Sequence, residues 1–350
     1  MKIIRMDLRY HKHFRDFHCL PARIYRDTPQ WVPPLALDER RRLDLKRYPY
    51  YQHSEATFFL AYQDNIPVGR LAVLDNRLYN EHNHEKTAFF YLYESENDVE
   101  ITRGLFEAAF SWSMHRGLDR VVGPRGFTAL DGYGLLVKGF DRRPAFGLPY
   151  NPAYYPVLIE ALGFQPVEDI ISGYLSADMM FPERIRKLAS LIKERRGLKI
   201  IQFRTRRQLR DGLKYLKELY NGILAGTNGG TPITDQEIID LSRQLLWLAD
   251  PSLIKIVMKE KRPVGFLLAY PDISKALQDT RGQLFPIGWI KILLEIKKTD
   301  WININGAGML PGFQGLGGTA VLYNELFASV KQTSQYRHAE IVQIGLQNNR

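Results

Sequence analysis

Between Pro311 and Thr319 the chain reads PGFQGLGGT, after an alternating apolar stretch (Trp301, Ile302, Ile304, Met309, Leu310) and before apolar residues at helical spacing (Ala320, Leu322, Leu326, Phe327, Val330). A glycine-rich turn between a strand and a helix start is suited to holding an anion. Glycine removes side chains that would keep a ligand off the backbone, and the first amides of a helix have no partner of their own and lie at the positive end of its dipole. The expected ligand carries phosphates. Gly315, Gly317 and Gly318 lack the spacing of a dinucleotide fingerprint, and no Lys-Ser or Lys-Thr follows as a Walker loop requires.

A repeat lies upstream. Phe58 to Asn76 and Leu253 to Asp272 each contain an apolar or alternating strand, a polar turn, Pro-Val-Gly and a second apolar strand. Pro67-Val68-Gly69 and Pro263-Val264-Gly265 stand 196 residues apart. Both stretches are predicted to be β-hairpins, and matched strands on both sides favour duplication into tandem domains.

Gln314, Gly317 and Thr319 resemble the Q/R-x-x-G-x-G/A pyrophosphate loop of the GNAT superfamily of acyl-CoA acyltransferases, with Pro311 ahead of it as is common there. Asn151, Pro152, Ala153 and Leu158 to Phe164 (LIEALGF) resemble the helix that ends such domains. Val121 to Tyr155 is similar to tandem GNAT-like bacterial proteins. The resemblance implies an α/β chain of two tandem GNAT-like domains, with mixed central sheets flanked by helices. It implies acetyl-CoA, or another acyl-CoA, as co-substrate: the pantetheine arm along Gly308, Met309 and Leu310, and the pyrophosphate on Gln314, Gly315, Leu316, Gly317, Gly318 and Thr319. The implied reaction is direct transfer of an acyl group, most simply acetyl, to a small-molecule or peptide amine. Thr319 stands where the family has a small residue, so its hydroxyl either bonds a phosphate or crowds it.

Catalytic residues stay unassigned. Some GNAT enzymes carry a glutamate base eleven residues before the glutamine, where this chain has Asn303, and the family's acidic tyrosine in the first half is Ile159. The first half also reads ESEND (Glu94 to Asp98) before Val99, acidic where a pyrophosphate would bind. It is therefore expected to be a degenerate acyltransferase fold serving structure or substrate binding. Two readings stand against catalysis: a non-catalytic CoA- or nucleotide-binding protein and a basic nucleic-acid-associated module.

The elements that position these residues follow from periodicity. Strands are predicted at Met1 to Leu8, Phe89 to Tyr93 and Arg120 to Gly123, with helices at His11 to Asp27 (broken at Pro21), Leu35 to Lys46 and Val99 to Arg116. A strand pair is predicted from Val167 to Leu175. The expected domains are 1–178, a linker helix over 179–197, and 198–350. The last opens on a strand, Leu198 to Phe203, and helices Thr205 to Asn221 and Thr234 to Leu248. The loop between those helices, LAGTNGGTPIT, is expected to lie over the acceptor. A hairpin, a helical insertion (Ser274 to Lys298), the cofactor strand and its helix follow, then a final strand, Ala339 to Leu346. The chain stops where the family begins its last helix, so the second domain is read as truncated or completed by something else.

Composition is that of a globular protein: 45% apolar, 25% charged and one cysteine, Cys19, which excludes an internal disulfide. No signal peptide or membrane-spanning run is read, so the expected location is the cytoplasm, without a membrane partner; a homodimer is admitted. The net charge of +10 comes from groups such as Arg40 to Arg42 and Arg204 to Arg207 on helical segments, read as solvated faces rather than a nucleic-acid surface. His82 and His84, and His11, His13 and His18, are read as surface residues rather than metal ligands. Tyr133, Tyr154 and Tyr155 are read as packing, and Asp131 as fixing its own turn.

Overall fold

A computed structural model describes residues 1–128, 130–179, 182–224 and 230–345. The first half runs β1 (Lys2–Arg5), α1 (His11–Ile24), α2 (Ala36–Arg42), β2 (Glu55–Gln63), β3 (Ile66–Asp75), α3 (Arg77–Asn83), β4 (Thr87–Ser95), α4 (Val99–Met114), β5 (Arg120–Val122) and α5 (Tyr155–Glu160). The chain continues through β6 (Ile170–Ser176), α6 (Glu183–Arg195), β7 (Leu198–Gln202), α7 (Arg206–Gly212), α8 (Leu216–Leu219), α9 (Asp235–Leu248), β8 (Lys255–Lys259), β9 (Arg262–Pro271), α10 (Ser274–Thr280), α11 (Gly288–Lys298), β10 (Trp301–Met309), α12 (Gly318–Thr333) and β11 (His338–Gly345).

Two mixed sheets result, ordered β1-β2-β3-β4-β5 and β6-β11-β10-β9-β8-β7. Each is antiparallel except for one parallel pair, β4 with β5 and β10 with β11. The predicted duplication reappears in the register. Ala61 opposes Gly69 and Tyr62 opposes Pro67; Val257 opposes Gly265 and Met258 opposes Pro263. A bulge separates the two pairs in both hairpins, so the copies match residue for residue, bulge included. In the first sheet, α4 packs Ile101, Leu105 and Phe106 on one face with Tyr155 and Ile159 of α5, while Phe17, Tyr50 and Phe58 fill the other. In the second, Ala189 and Ile192 of α6 and Val321, Leu322 and Leu326 of α12 cover one face.

The division into compact units differs from the expected 1–178 and 198–350. One unit comprises Met1–Val167 and Ser274–Trp289, the other Glu168–Ile273 and Ile290–Arg350. Strand β6, expected in the first domain, pairs antiparallel with β11, from His338 opposite Ser176 to Gly345 opposite Ile170. Strand β6 thus lies beside β11 in the second sheet. Residues 179–197, expected as a linker, contain α6, whose Ala189 and Ile192 are buried in the second unit's core. Conversely, α10 belongs to the first unit. Gln278 donates to the carbonyls of Pro29 (2.7 Å) and Trp31 (3.0 Å), and Ala36 N donates to Gly282 O (3.0 Å).

Two helix expectations also change. Pro21 does not break α1, because the carbonyl it leaves without an amide, Phe17 O, accepts from Arg70 Nη1 at 2.8 Å. The helix expected over Thr205 to Asn221 divides into α7, a 3-10 turn, α8 and a π turn at Tyr220–Leu224. At the first break, a β-carbon on Gly212 would strike the Phe203 ring.

Candidate functional site

The parallel pair in the second unit opens along its length. Strand β10 pairs with β11 only from Trp301 to Ile304; a bulge follows between Ile304 and Gly306, after which β10 stays with β9 and β11 stays with β6. Gly306, Ala307 and Gly308 therefore pair with β9 but have no registered partner in β11. The interval is glycine-rich for packing reasons as well: a β-carbon on Gly308 would overlap Ile223 in the π turn, and one on Gly222 would overlap Leu310.

Beyond Met309 and Leu310, which are buried, the chain turns through three glycines at positive φ: Gly312 (85°), Gly315 (67°) and Gly317 (79°). Helix α12 begins at Gly318 without a side-chain cap; its N-cap, Gly317, is left-handed. Gln314 donates to Met309 O at 3.3 Å and ties the turn to the strand end. Gly317 and Gly318 let the helix start press on its surroundings, since β-carbons there would meet Ile192 and Met309 respectively. Thr319, in the first turn, is exposed, as are Gln314 and Gly315. The strand residues Gly308, Met309 and Leu310 and the turn residues Gln314, Gly315, Leu316, Gly317, Gly318 and Thr319 thus form one continuous strand-turn-helix start. A helix start without a side-chain cap leaves its first backbone amides and the positive end of its dipole without a side-chain partner.

On the face of β10 opposite α12 lies a polar set of which the sequence reading singled out only Asn303, as a position without a base. Asn303 is fully buried and donates to Asp272 Oδ1 at 3.2 Å, while its Oδ1 has no partner among the described residues. Asn305 donates to the Tyr270 hydroxyl at 2.7 Å, and burial raises that phenol above its ordinary pKa. Sequence contained the signal only once register is known: Tyr270 opposes Asn303, so 270, 272 and 303 share a face. The loop expected over the acceptor contains residues 225–229, which lie outside the described residues.

The first unit treats the same positions differently. Its parallel pair is also short, Thr87 to Phe89 against Arg120 to Val122. Beyond it, Ser95 N donates to the Tyr155 hydroxyl (2.9 Å), and Ser95 O accepts from the Tyr154 hydroxyl (2.8 Å). Tyr155 also donates to Glu94 Oε2 (2.7 Å), as does Tyr25 (2.9 Å). Burial holds the Glu94 carboxyl above its ordinary range, although nearby Arg70 opposes this. Helix α4 starts with Asp98, whose carboxylate accepts from Glu100 N at 2.8 Å. Arg23 pairs with Glu96 at 2.8 Å. Asp131 fixes its turn by accepting from Thr128 N at 2.8 Å, and it also pairs with Arg42. Among the described residues, no group of three or more His, Cys, Asp or Glu is placed to hold a metal, and no helix is long and apolar enough to cross a membrane. His84 ends α3 in a left-handed conformation.

No family model matches the chain. It is 27% identical over 282 residues to Protein YghO of Escherichia coli (strain K12), covering 80% of this chain and 71% of that one. It is 27% identical over 285 residues to a bacterial ceramide synthase of Caulobacter vibrioides, covering 80% and 73%. A tandem GNAT protein from the clavulanic acid biosynthesis pathway superposes with a TM-score of 0.51 at 10% identity, covering 99% of this chain and 91% of that one. The duplicated hairpins, the splayed parallel pairs and this likeness establish that the chain has the tandem GNAT fold.

Proposed function

We propose that the second unit binds an acyl-CoA and transfers its acyl group directly to an amine. The observation that carries this reading is the uncapped start of α12 at the end of a strand that has parted from its parallel neighbour. The diphosphate of CoA is held by the amides after Gly317, and the pantetheine arm runs along Gly306 to Leu310 as an added strand. The neutral amine attacks the thioester carbonyl, the new C–N bond forms, and the C–S bond breaks with a proton passing to the departing thiolate.

The acceptor class comes from the Caulobacter relative. A ceramide is the N-acyl derivative of a long-chain amino alcohol, so the acceptor assigned here is such an amine, and the acyl chain is longer than acetyl. The first unit serves structure or acceptor binding rather than CoA binding. In support, Asp98 occupies its helix start, and Tyr154 and Tyr155 take up the backbone of Ser95.

The test is thiol release from acetyl-CoA and palmitoyl-CoA with sphinganine, glucosamine or a lysine peptide as acceptor, together with equilibrium binding of CoA. Palmitoyl transfer to sphinganine is the expected result. CoA binding without turnover of any acceptor would leave a carrier or sensor of GNAT fold, and absence of CoA binding removes the reading altogether.

A further inference from the structure

Residues 285–298 carry an unusual distribution of apolar side chains. Phe285, Ile287, Trp289, Ile290 and Leu294 are each between 41% and 78% exposed, five large apolar residues within ten positions. Soluble surfaces carry such residues singly; a contiguous set marks a surface that meets something apolar. Helical spacing puts Ile290, Lys291, Leu294 and Lys298 on one outward stripe of α11, while Ile292 on the opposite side is fully buried. The helix is therefore amphipathic with its apolar stripe outward.

Lys291, Lys297 and Lys298 are exposed beside that stripe. Apolar residues led by a tryptophan and flanked by lysines are the composition of a helix that lies in a lipid interface, the ring at headgroup level and the ammonium groups on anionic phosphates. The net charge of +10 acts in the same direction.

We infer that the segment 285–298 docks the protein on an anionic lipid bilayer, peripherally and without spanning it. This rests on the reading of the acceptor as a long-chain amine, which resides in such a bilayer; a docked enzyme would meet it there. The expectation of no membrane partner considered spanning segments only, and a docking helix needs none.

Co-sedimentation of the full chain, without acyl-CoA, with phosphatidylcholine vesicles containing or lacking phosphatidylglycerol tests the inference. Binding to the anionic vesicles is expected, with about a tenfold or greater loss in Ile290→Asp/Leu294→Asp. Lys291→Glu/Lys297→Glu/Lys298→Glu is expected to lose the preference for phosphatidylglycerol. Unchanged thermal unfolding and unchanged CoA affinity in the variants show that folding is intact. Wild-type protein that ignores anionic vesicles overturns the inference, as does equal sedimentation of the Asp variant. A dimer that Ile290→Asp/Leu294→Asp converts to monomer, with no vesicle binding by wild type, would assign the stripe to a second copy instead. Vesicle binding with no acyl transfer would leave the docking surface standing and remove the acceptor reading.

Discussion

Glu94 and Gly308 occupy the same place in the two copies of the duplicated strand. Each opposes the residue that follows the glycine of its Pro-Val-Gly, Arg70 in one sheet and Phe266 in the other. One copy thus puts a buried carboxylate, clasped by two tyrosines, where the other has only backbone. The duplication has diverged at this position.

At Gly308 the absence of a side chain is required by its neighbour. Gly308→Ala places a methyl against Ile223, and overpacking of this kind costs about 1–3 kcal/mol. Chemical denaturation should register that loss, and Ile223→Ala in the same chain should recover most of it. CoA affinity should drop with the single change and return with the double one.

Thr319→Glu separates folding from ligand binding by sign. An acid in the first turn of α12 favours the helix dipole and should raise stability by about 0.3–1 kcal/mol. The same charge beside a bound diphosphate should weaken CoA by about tenfold or more. Calorimetry on the variant should therefore show equal or higher Tm and poorer CoA binding; unaltered binding would remove α12 as the phosphate site.

Tyr155→Phe leaves Ser95 N without its acceptor in a buried setting and takes one donor from Glu94. A lost buried hydrogen bond of this type costs about 1–3 kcal/mol. Urea unfolding measures it, while CoA affinity should be unchanged because the residue lies in the unit assigned no cofactor.

Lys255 gives a pH signature. Burial lowers its ammonium from 10.5 to about 8, with Nζ donating to Ser329 Oγ at 2.7 Å. Between these values the unfolded chain holds a proton the folded chain has released, so stability rises with pH across that window, by up to about 3 kcal/mol. Lys255→Met should remove the rise, and stability curves at pH 8 and above would reveal it.

The parts of the structure legible in the sequence are those set by neighbours along the chain. The hairpins are closed by a short polar turn, with Asp64 and Asn65 both at positive φ, and the glycine turn is followed by helical spacing. Both signals are local. What sequence could not supply were choices of distant partner. Nothing in Ile170–Ser176 says that it pairs with β11, where Ile170 opposes Gly345, 175 positions on. Pro21 survives inside α1 because an arginine 53 positions from Phe17 takes up its carbonyl. That Asp272, Asn303, Tyr270 and Asn305 come together was not legible for the same reason, since the grouping exists only once the register of β9 against β10 is fixed.

The first unit's reliance on Ser274–Trp289 imposes an order on biosynthesis. The contacts of Gln278 and Gly282 with Pro29, Trp31 and Ala36 can form only after β8 and β9 have left the ribosome. Translation therefore cannot finish one half before starting the other. A gene cut between Val167 and Glu168 would leave the first fragment without Ser274–Trp289, which the second fragment would carry, so the first unit could be completed only by co-expression.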